Sequence, residues 1–457
     1  MTEARVIANG GETPAQRRQF AVLLVLCAGM FMAILDVNVI NIAIASIQSE
    51  LRTTVAGITW AVDAYNLTLT GLMLSAGALA DRHGARRIWM LGLLLFIGAS
   101  LGCGLAHSIG QLIMLRLIQG MGAALFIPAS FALMPLIWPD NALRQRNIGL
   151  FGAVVSLAAA AGPILGGFLV NFFGWRSVFL INIPIGLCGL LAAFRLLPRV
   201  HGGRERDFDM AGQVLGITTL TALSYLLIEL PALGWASSLI RLAAGISLAG
   251  AAGFIMVERR AVSPLVPQSL FQDAGFTIAN LTGMMINVCY FGGIYAMSLE
   301  LQHHLHFSPL RTGMALLPLA LCLMAGNILS GRLMAHWGVK KQMITGLALS
   351  ACGYLGMLFL ADHITPLVII AMALLAGGAA FVVPPMTSTV LHRAPLAMVA
   401  SASAVHTTLR QLGSLMGIAL TGLVFSLLVS PLAMLMLVSA LVHLLLALVV
   451  WRWLPEK

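Results

Sequence analysis

The sequence contains fourteen apolar stretches, each long enough to cross a lipid bilayer. A membrane-spanning helix needs about 20 mainly apolar residues, because each residue adds about 1.5 Å to a helix and the hydrocarbon layer is about 30 Å thick. The stretches run over about 20–47, 54–80, 86–106, 109–136, 146–170, 176–195, 210–230, 239–257, 274–301, 309–335, 341–360, 365–391, 400–428 and 432–453. They predict an all-α integral membrane protein with fourteen spans.

The composition excludes a water-soluble or disordered protein. Of the 457 residues, 60% are hydrophobic and 9% are charged, whereas a soluble domain is about half apolar and about a quarter charged. The net charge of +10 does not indicate nucleic-acid binding, because the basic residues follow a membrane-topology pattern. The six cysteines lie inside apolar stretches without CxxC spacing, which argues against a disulfide framework and a metal site.

The distribution of Lys and Arg orients the chain in the membrane. If the N-terminus is cytoplasmic, twenty basic residues lie in inner segments, four lie in outer loops, and Arg116 and Arg410 lie within spans. Short loops rich in Lys and Arg stay on the cytoplasmic side, so we expect both termini there. The first stretch is longer than the apolar core of a signal peptide and no cleavage site follows it, which predicts an uncleaved helix.

Two loops in the sequence share a pattern that indicates an internal repeat. Loops 77–87 and 331–341 have two glycines, a leucine and a terminal basic pair in common, and Pro128 and Pro384 are separated by nearly the same number of residues. A six-helix unit used twice would place a substrate cavity between its copies near the bilayer midplane. We predict an N-terminal six-helix bundle with a cytoplasmic tail (1–195), a linker with two extra transmembrane helices (196–273) and a C-terminal six-helix bundle (274–457).

Five short motifs occur in an order typical of one transporter family. Loop 77–87 reads G-x-L-x-D-R-x-G-x-R-R, the fourth stretch reads R-x-x-Q-G-x-G from Arg116, and the fifth reads G-P-x-x-G-G from Gly162. Two further motifs cover 35–43 and 174–186. Together they resemble the major facilitator superfamily and, within it, the fourteen-span drug:proton antiporter branch of the EmrB/QacA type. The match extends over nearly the whole chain.

The resemblance implies a proton-driven exporter in the cytoplasmic membrane of a bacterium. The expected cargo is a lipophilic, cationic or zwitterionic drug or toxic compound, exchanged for protons by a functional monomer that needs no cofactor. An exporter dedicated to one antibiotic or metabolite and a proton-coupled importer are the alternatives. A passive channel would need a continuous polar lining, and no P-loop, H-E-x-x-H or G-x-S-x-G motif indicates an enzyme.

Three charged residues deep in the predicted spans are expected to carry proton exchange. Asp36, Asp63 and Arg116 lie about 16, 14 and 11 Å below the outer surface, at about 1.5 Å per residue. Charges at such depth cost at least about 2.5–3.5 kcal/mol each, so they face the bundle interior. Burial favours the neutral acid, whereas a nearby arginine favours the carboxylate, and a balanced site exchanges protons. We predict that Asp36 is the principal proton site, tuned by Arg116; a purely structural ion pair is the alternative.

Other polar residues on single helical faces are candidates for the substrate cavity. Asp63 shares a face with Asn66 and Thr70, where it would contact a cationic substrate, form a second proton site or simply belong to a polar outer mouth. His406 and Arg410 lie one turn apart on the thirteenth stretch. They either line the cavity, where the histidine could titrate, or form hydrogen bonds between helices. The remaining candidates for the lining are Phe31, Met32, Met284, Tyr290, Phe291 and Tyr295. The thirteenth stretch has no deep carboxylate, unlike some cation exporters of this branch, and so does not indicate a preference for dications.

The resemblance also assigns roles to loop 77–87 and to the fifth stretch. The loop is expected to be a cytoplasmic latch that stabilises the outward-open state, through Gly77, Asp81, Arg82, Gly84, Arg86 and Arg87. The antiporter motif consists of Gly162, Pro163, Gly166 and Gly167. Its small residues predict close helix packing, and its proline a bend. His303, His304 and His306 lie near Glu300, a pattern that favours an exposed polar loop over a metal site, and we predict no metal.

Overall fold

A computed structural model describes residues 14–198, 209–261, 264–359, 365–395, 398–428 and 431–454. Within these ranges the chain forms helices and no strand, which confirms the all-α prediction. The predicted cytoplasmic tail before residue 14, the central part of the linker at 199–208 and the end of the chain after residue 454 lie outside the described residues.

The first six helices are connected by short turns. They are α1 (Pro14–Leu51), α2 (Val55–His83), α3 (Ala85–Gly104), α4 (Ile109–Ile137), α5 (Asn141–Phe173) and α6 (Ser177–Leu196). Side-chain caps begin several of them: Thr54 accepts from the Gly57 N–H at 3.2 Å, and Asp140 accepts from the Leu143 N–H at 2.7 Å. Such caps satisfy backbone donors that have no partner within the helix.

Eight further helices follow in the described part of the chain. They are α7 (Met210–Leu233), α8 (Ser238–Arg260), α9 (Ala274–Leu299), α10 (Pro309–Trp337), α11 (Val339–Gly356), α12 (Pro366–Arg393), α13 (Val399–Leu427) and α14 (Pro431–Trp453). One π-helical turn, Glu300–His304, extends α9. The helix positions agree with the apolar stretches read from the sequence.

Twelve of the described helices are long and apolar enough to cross a membrane. The other two are α2, which carries the buried polar residues Asp63, Asn66 and Thr70, and α5, in which the apolar segment that the structure describes is Leu157–Phe173. Other helices flank both: α2 packs against α4, α7 and α13, and α5 packs against α1 and α10. The count of fourteen spans therefore stays a prediction.

The first six and the last six helices pack in the same pattern. In the first set α1 packs on α5, α2 on α4 and α3 on α4; in the second set α9 packs on α13, α10 on α12 and α11 on α12. Gly84 connects α2 to α3 with φ +93°, and Gly338 connects α10 to α11 with φ +75°. Residues that carry a side chain rarely adopt this backbone conformation, whereas glycine adopts it readily. The repeated loop therefore makes the same glycine-dependent turn twice.

Two seams join the two sets of six helices. One is formed by α5 and α10, and the other by α2 and α13. The first extra helix, α7, lies over the second seam because it packs on both α2 and α13, while α8 packs on α7. The extra pair therefore covers one side of the junction between the two sets.

Hydrogen bonds of Glu50 and of Arg86 mark the two ends of the bundle, the Glu50 end and the Arg82 end. The Glu50 end holds the last turn of α1, where Glu50 accepts hydrogen bonds from Trp175 Nε1 at 2.7 Å and from the Arg176 guanidinium at the start of α6. The Arg82 end holds the turn between α2 and α3, where Arg86 donates to the carbonyl of Phe194 in α6 at 2.6 Å.

Specific contacts close the two sets together at the Glu50 end. The Gln302 side chain donates to the carbonyl of Asn41 at 2.8 Å and accepts from the N–H of Ala45 at 2.9 Å. The hydroxyls of Thr59 and Tyr295 lie 2.8 Å apart across the α2–α9 contact. The named hydrogen bonds between the first and last six helices, within the described residues, therefore lie toward this end.

Candidate functional site

A buried ion pair between α1 and α4 forms the centre of the candidate site. Arg116 donates from Nη1 to Oδ2 of Asp36, and both side chains are 1% exposed. Arg116 also donates from Nε to the carbonyl of Ala61 in α2 at 3.1 Å, and its guanidinium lies 4.5 Å from the ring centre of Tyr65. The structure thus places the two predicted residues in direct contact, in the interior of the first six helices.

Amide side chains complete the surroundings of Asp36. Gln119 in α4 donates to Oδ1 of Asp36 at 2.9 Å and to Ser100 Oγ at 2.7 Å, and its own oxygen accepts from Arg116 at 2.8 Å. Asn182 in α6 lies 3.4 Å from the same Asp36 oxygen and 3.1 Å from Ser100 Oγ. The carboxylate is therefore held by donors from two helices besides its own.

Sequence reasoning missed the partners of the ion pair, although a signal for two of them was present. Gln119 is the glutamine of the R-x-x-Q-G-x-G motif, and Asn182 lies in the motif over 174–186. The two motifs therefore have the same physical role, because each supplies an amide N–H to the carboxylate of Asp36. Ser100 in α3 and Tyr65 in α2 belong to no motif, and only the packing of helices shows them.

Asp63 lies apart from this network and faces the first extra helix. Its side chain is buried, Oδ2 accepts from Ser224 of α7 at 3.2 Å, and Oδ1 makes no hydrogen bond among the described residues. Asn66 and Thr70 are also buried on α2. The three residues share a face, as predicted, but within the described structure no hydrogen bond links them to Asp36 or Arg116.

The contact between α2 and α7 is unexpectedly polar. Besides Ser224, α7 contributes Glu229, which accepts from Trp60 Nε1 at 2.8 Å. Gln213 of α7 bonds to Ser75 and to the carbonyl of Gly71. These contacts recur along most of the length of α7. Hydrogen bonds inside a membrane fix which faces of two helices meet, so the first extra helix is specifically seated on α2.

The predicted latch residues lie at the Arg82 end. Gly77 has open space around it, Arg82 and Arg87 are exposed, and Arg86 is buried against the chain of α6. Gly84 makes the turn between α2 and α3 described above. Asp81 lies in the last turn of α2, and its side chain is outside the described part of the structure.

The antiporter motif of α5 packs on helices of both sets. A Cβ at Gly162 would lie 2.6 Å from Asn38 Cβ in α1, and one at Gly166 would lie 3.0 Å from Val39. On the other side, a Cβ at Gly167 would lie 2.9 Å from the α carbon of Leu310 in α10. Pro163 lies inside the helix, and its carbonyl faces the α carbon of Gly313. The motif thus brings α5 close to α1 and to α10 at once.

A second polar cluster lies among α9, α12 and α13. His406 Nδ1 is 3.0 Å from Asn280 Oδ1, and its Nε2 is 3.4 Å from Thr387 Oγ1. Arg410, one turn further along α13, has a buried Nε without a hydrogen bond among the described residues. The structure therefore joins His406 to its neighbours but leaves Arg410 without an acidic partner in the described chain.

The candidate cavity residues divide by exposure. Met32 and Tyr295 are fully buried; Met32 faces Gly186 of α6, and Tyr295 is bonded to Thr59. Partly buried positions hold the other candidates, Phe31, Met284, Tyr290 and Phe291. Tyr290 lines a small cavity with Asn38 of α1 and Pro163 of α5, at the contact between the two sets.

The histidine group at the Glu50 end makes local contacts. His304 Nδ1 lies 3.3 Å from Glu300, and the His304 side chain is half exposed. The described residues contain no group of three or more His, Cys, Asp or Glu side chains placed to hold a metal ion.

These observations together define a secondary transporter. Two six-helix sets with one packing pattern meet along two seams, and a buried ion pair lies inside the first set; two such repeats are the architecture of alternating access. A model described as Major Facilitator Superfamily matches residues 26–418 and 281–457. The chain belongs to that superfamily, and it is a transporter rather than an enzyme.

Known proteins resemble the chain over most of its length. It is 38% identical over 409 residues to the methylenomycin A resistance protein of Bacillus subtilis, covering 89% of this chain and 88% of the relative. It is 31% identical over 421 residues to the tetracenomycin C resistance and export protein of Streptomyces glaucescens, covering 91% and 78%. A crystal structure of a POT family transporter in complex with a thioalcohol-conjugated peptide shares the fold, with a TM-score of 0.72, 15% identity and 96% coverage of both chains.

Proposed function

We propose that this protein exports lipophilic antimicrobial compounds across a bacterial cytoplasmic membrane in exchange for protons. The names of the two relatives, which refer to antibiotic resistance and export, support this cargo class and direction. The protein acts as a monomer in the lipid bilayer, takes cationic or zwitterionic small molecules, uses the proton gradient and needs no cofactor. It belongs to the fourteen-span branch, with bundles at 1–195 and 274–457 joined by a two-helix linker at 196–273.

The observation that carries the proposal is the enclosed carboxylate of Asp36. An ion pair buried to this degree is costly, and replacing such pairs by apolar residues is often neutral or stabilising. A pair retained at the centre of a transporter is therefore a candidate for function rather than for stability. Protonation of Asp36 would cancel its charge and weaken its bonds to Arg116, Gln119 and Asn182.

Helix α1 provides the physical link between this carboxylate and the closed Glu50 end. Asn41 and Ala45 lie five and nine residues beyond Asp36 on the same helix, and both hold Gln302 from the second set. A change in how α1 is bound to α4 and α6 would move these contacts as well. Proton binding and the opening of this end would thus be coupled through one rigid element.

The orientation of the chain assigns this conformation to a step of transport. We place the Arg82 end and both termini in the cytoplasm, because the basic residues accumulate there. The closed Glu50 end is then the outer gate, and the described conformation faces inward. In the opposite state, loop 77–87 with Asp81 would latch the cytoplasmic end, while Asp63 on α2 would serve as a second proton or substrate site.

Proton release from inverted vesicles tests the proposal. Vesicles with an acidic interior carry either the wild-type chain or Asp36→Asn, and a pH-sensitive dye reports proton efflux when lipophilic cations, zwitterions or neutral compounds are added. We expect release from wild-type vesicles and none from Asp36→Asn. Glu50→Gln, an exposed carboxylate on the same helix, is the matched control and should behave as wild type. Undiminished release by Asp36→Asn, with equal amounts of protein in the membrane, would refute the assignment.

An exporter dedicated to one antibiotic is the second candidate. The observation in its favour is that each of the two relatives is named for a single compound. Growth inhibition of a sensitive host expressing the chain, measured over a broad panel, distinguishes the two. Protection against several unrelated compounds supports broad export, and protection against one chemical scaffold supports the dedicated exporter.

A further inference from the structure

The deep charges of the last six helices are distributed differently from those of the first six. After Asp273 the sequence contains three acidic residues, Glu300, Asp362 and Glu456. Glu300 lies beside His304 at the Glu50 end, whereas Asp362 and Glu456 are outside the described residues, and the sequences of α9 to α14 contain no Asp or Glu. Arg410 is eleven residues into α13, about 17 Å from its start. A cation thus lies deep in a region whose sequence provides no deep acid.

Arg410 differs sharply from the other deep arginine. Arg116 has Asp36, Gln119 and the Ala61 carbonyl as acceptors. Arg410 is only partly exposed, its Nε is buried without a hydrogen bond, and within the described residues it forms no ion pair. A buried donor without a hydrogen bond is costly, and because Arg410 as a whole is partly exposed, an outside partner can reach it where the described chain supplies none.

Neither deep acid of the first six helices provides that partner. Asp36 is occupied by Arg116, and Asp63 accepts from Ser224. Thr59 of α2 meets Gly422 of α13, and the two helices run in opposite directions. Asp63 therefore lies near the level of residue 418, about 12 Å along α13 from Arg410 at about 1.5 Å per residue.

Polar side chains and one glycine, Gly283, lie around Arg410. His406 is held between Asn280 and Thr387 from two other helices, which fixes its ring. A Cβ at Gly283 would lie 3.1 Å from His406 Cε1 and 3.3 Å from Arg410 Cγ. His406 and Arg410 therefore pack directly against the backbone of α9 at Gly283, where a larger residue would have to displace them. The cluster combines an arginine without a described acidic partner, a histidine held by two neighbours and a close contact with Gly283.

We propose that Arg410, with His406 beside it, binds an anionic group of the cargo, such as a carboxylate. The inference rests on the proposed function and refines its substrate class: compounds with an acidic group, including zwitterions, would bind at this cluster, and purely cationic compounds would not. A guanidinium suits this task because it stays charged and offers paired donors to the two oxygens of a carboxylate.

Binding measurements on the purified full-length chain test the proposal. The protein is placed in nanodiscs of phosphatidylcholine, which carry no net charge, and titrated with three aromatic carboxylates of increasing size, including 2-naphthoate, and with the matching primary amides. Calorimetry or tryptophan fluorescence reports affinity. We expect at least one carboxylate to bind about tenfold or more tightly than its amide, since hydrogen bonds to charged groups are the stronger ones.

Variants assign this preference to Arg410. Arg410→Gln should remove the preference while leaving amide binding in place, which also shows that the variant is folded, and Arg410→Lys should keep part of it. Arg332→Gln, on an exposed arginine of α10, is the matched control and should bind as wild type. Equal binding of carboxylates and amides by the wild type, or an unchanged preference in Arg410→Gln, would overturn the proposal.

Two further arms separate this proposal from its alternatives. Asp36→Asn should keep the carboxylate preference while losing proton release, so failure of the anion site and failure of the proton site are distinguishable. Nanodiscs containing phosphatidylglycerol test whether an anionic lipid headgroup is the partner instead. Loss of the carboxylate preference in the wild type in these nanodiscs would assign the site to lipid and contradict binding of cargo.

Discussion

The first and last six helices share a packing pattern but have opposite chemistry at their centres. In the first set, an acid and an arginine are paired and surrounded by amides. In the second set, an arginine and a histidine lie together with no described acid. The duplicated backbone therefore does not duplicate its charges. We propose a proton site in the first copy and an anion site in the second.

The turns that connect equivalent helices show the same division. Gly84 and Gly338 have nearly the same positive φ at equivalent turns, whereas Asp81 in the first loop is replaced by Ala335 in the second. Glycine is required by the turn itself, while the acid is required only if one loop acts as a latch. What the two halves keep in common is backbone geometry, and what they do not share is charge.

Removing each deep arginine gives the largest expected contrast. Arg116→Gln leaves the Asp36 carboxylate buried without its cation, which should lower the free energy of unfolding by about 3–5 kcal/mol. Arg410→Gln removes a charge that has no described partner, so the free energy of unfolding should stay within about 1 kcal/mol of wild type or rise. Unfolding of the purified protein in mixed micelles by a denaturing detergent measures both.

A double variant provides the control for this contrast. Asp36→Asn combined with Arg116→Gln removes both charges, and it should regain part of the stability that Arg116→Gln loses, because no buried ion remains unpaired. Equal losses for Arg116→Gln and Arg410→Gln would contradict the comparison, since they would mean that Arg410 is paired as strongly as Arg116.

The sequence alone predicts the helices and the central ion pair, for physical reasons that can be stated. Helix length and hydropathy are local properties, so the positions of the spans follow from the chain itself. The contact between Asp36 and Arg116 could be predicted because two charges at similar depth have few other charged partners in an apolar bundle. The superfamily, inferred from five motifs, was confirmed by the family match.

What the sequence could not provide is how each helix is rotated toward its neighbours. Asp63 was expected at a cavity or mouth, but it faces Ser224 on α7. Met32 was a candidate for the lining, but it packs inside the first set against Gly186. Helical periodicity shows which residues share a face, whereas the partner of that face depends on long-range packing that no local pattern encodes.

The polar seam between α2 and α7 should be the next most sensitive region. Ser224→Ala removes the one described donor to Asp63, and a buried polar group left without its partner costs about 1–3 kcal/mol. Thr221→Ala is the matched control, because Thr221 is exposed on the same helix and bonds only to the carbonyl of Ile217; it should change stability by less than about 0.5 kcal/mol. Equal effects in a detergent titration would show that α7 is merely a lipid-facing helix.

The paired glycine turns should respond equally to substitution. Gly84→Ala and Gly338→Ala each force a side chain into a positive-φ conformation with extended ψ, which costs about 1–3 kcal/mol, and thermal unfolding should detect both. Gly77→Ala is the control: Gly77 is helical with open space around it, so alanine should be neutral or stabilising there by up to about 1 kcal/mol. A large loss at one turn only would mean that the two loops differ in backbone as well as in charge.

The smallest effect is expected at the exposed ion pair of the Glu50 end. Glu50 and Arg176 are linked like Asp36 and Arg116, but their side chains are 51% and 30% exposed. Water and salt screen such a pair, so Glu50→Gln should cost only about 0–1 kcal/mol, and less at 1 M salt than at low salt. Arg116→Gln should show no such salt dependence, because its charges are enclosed. If the two variants responded alike to salt, the enclosure of Asp36 by α1, α4 and α6 would not hold in the membrane, and a buried proton site could not be maintained there.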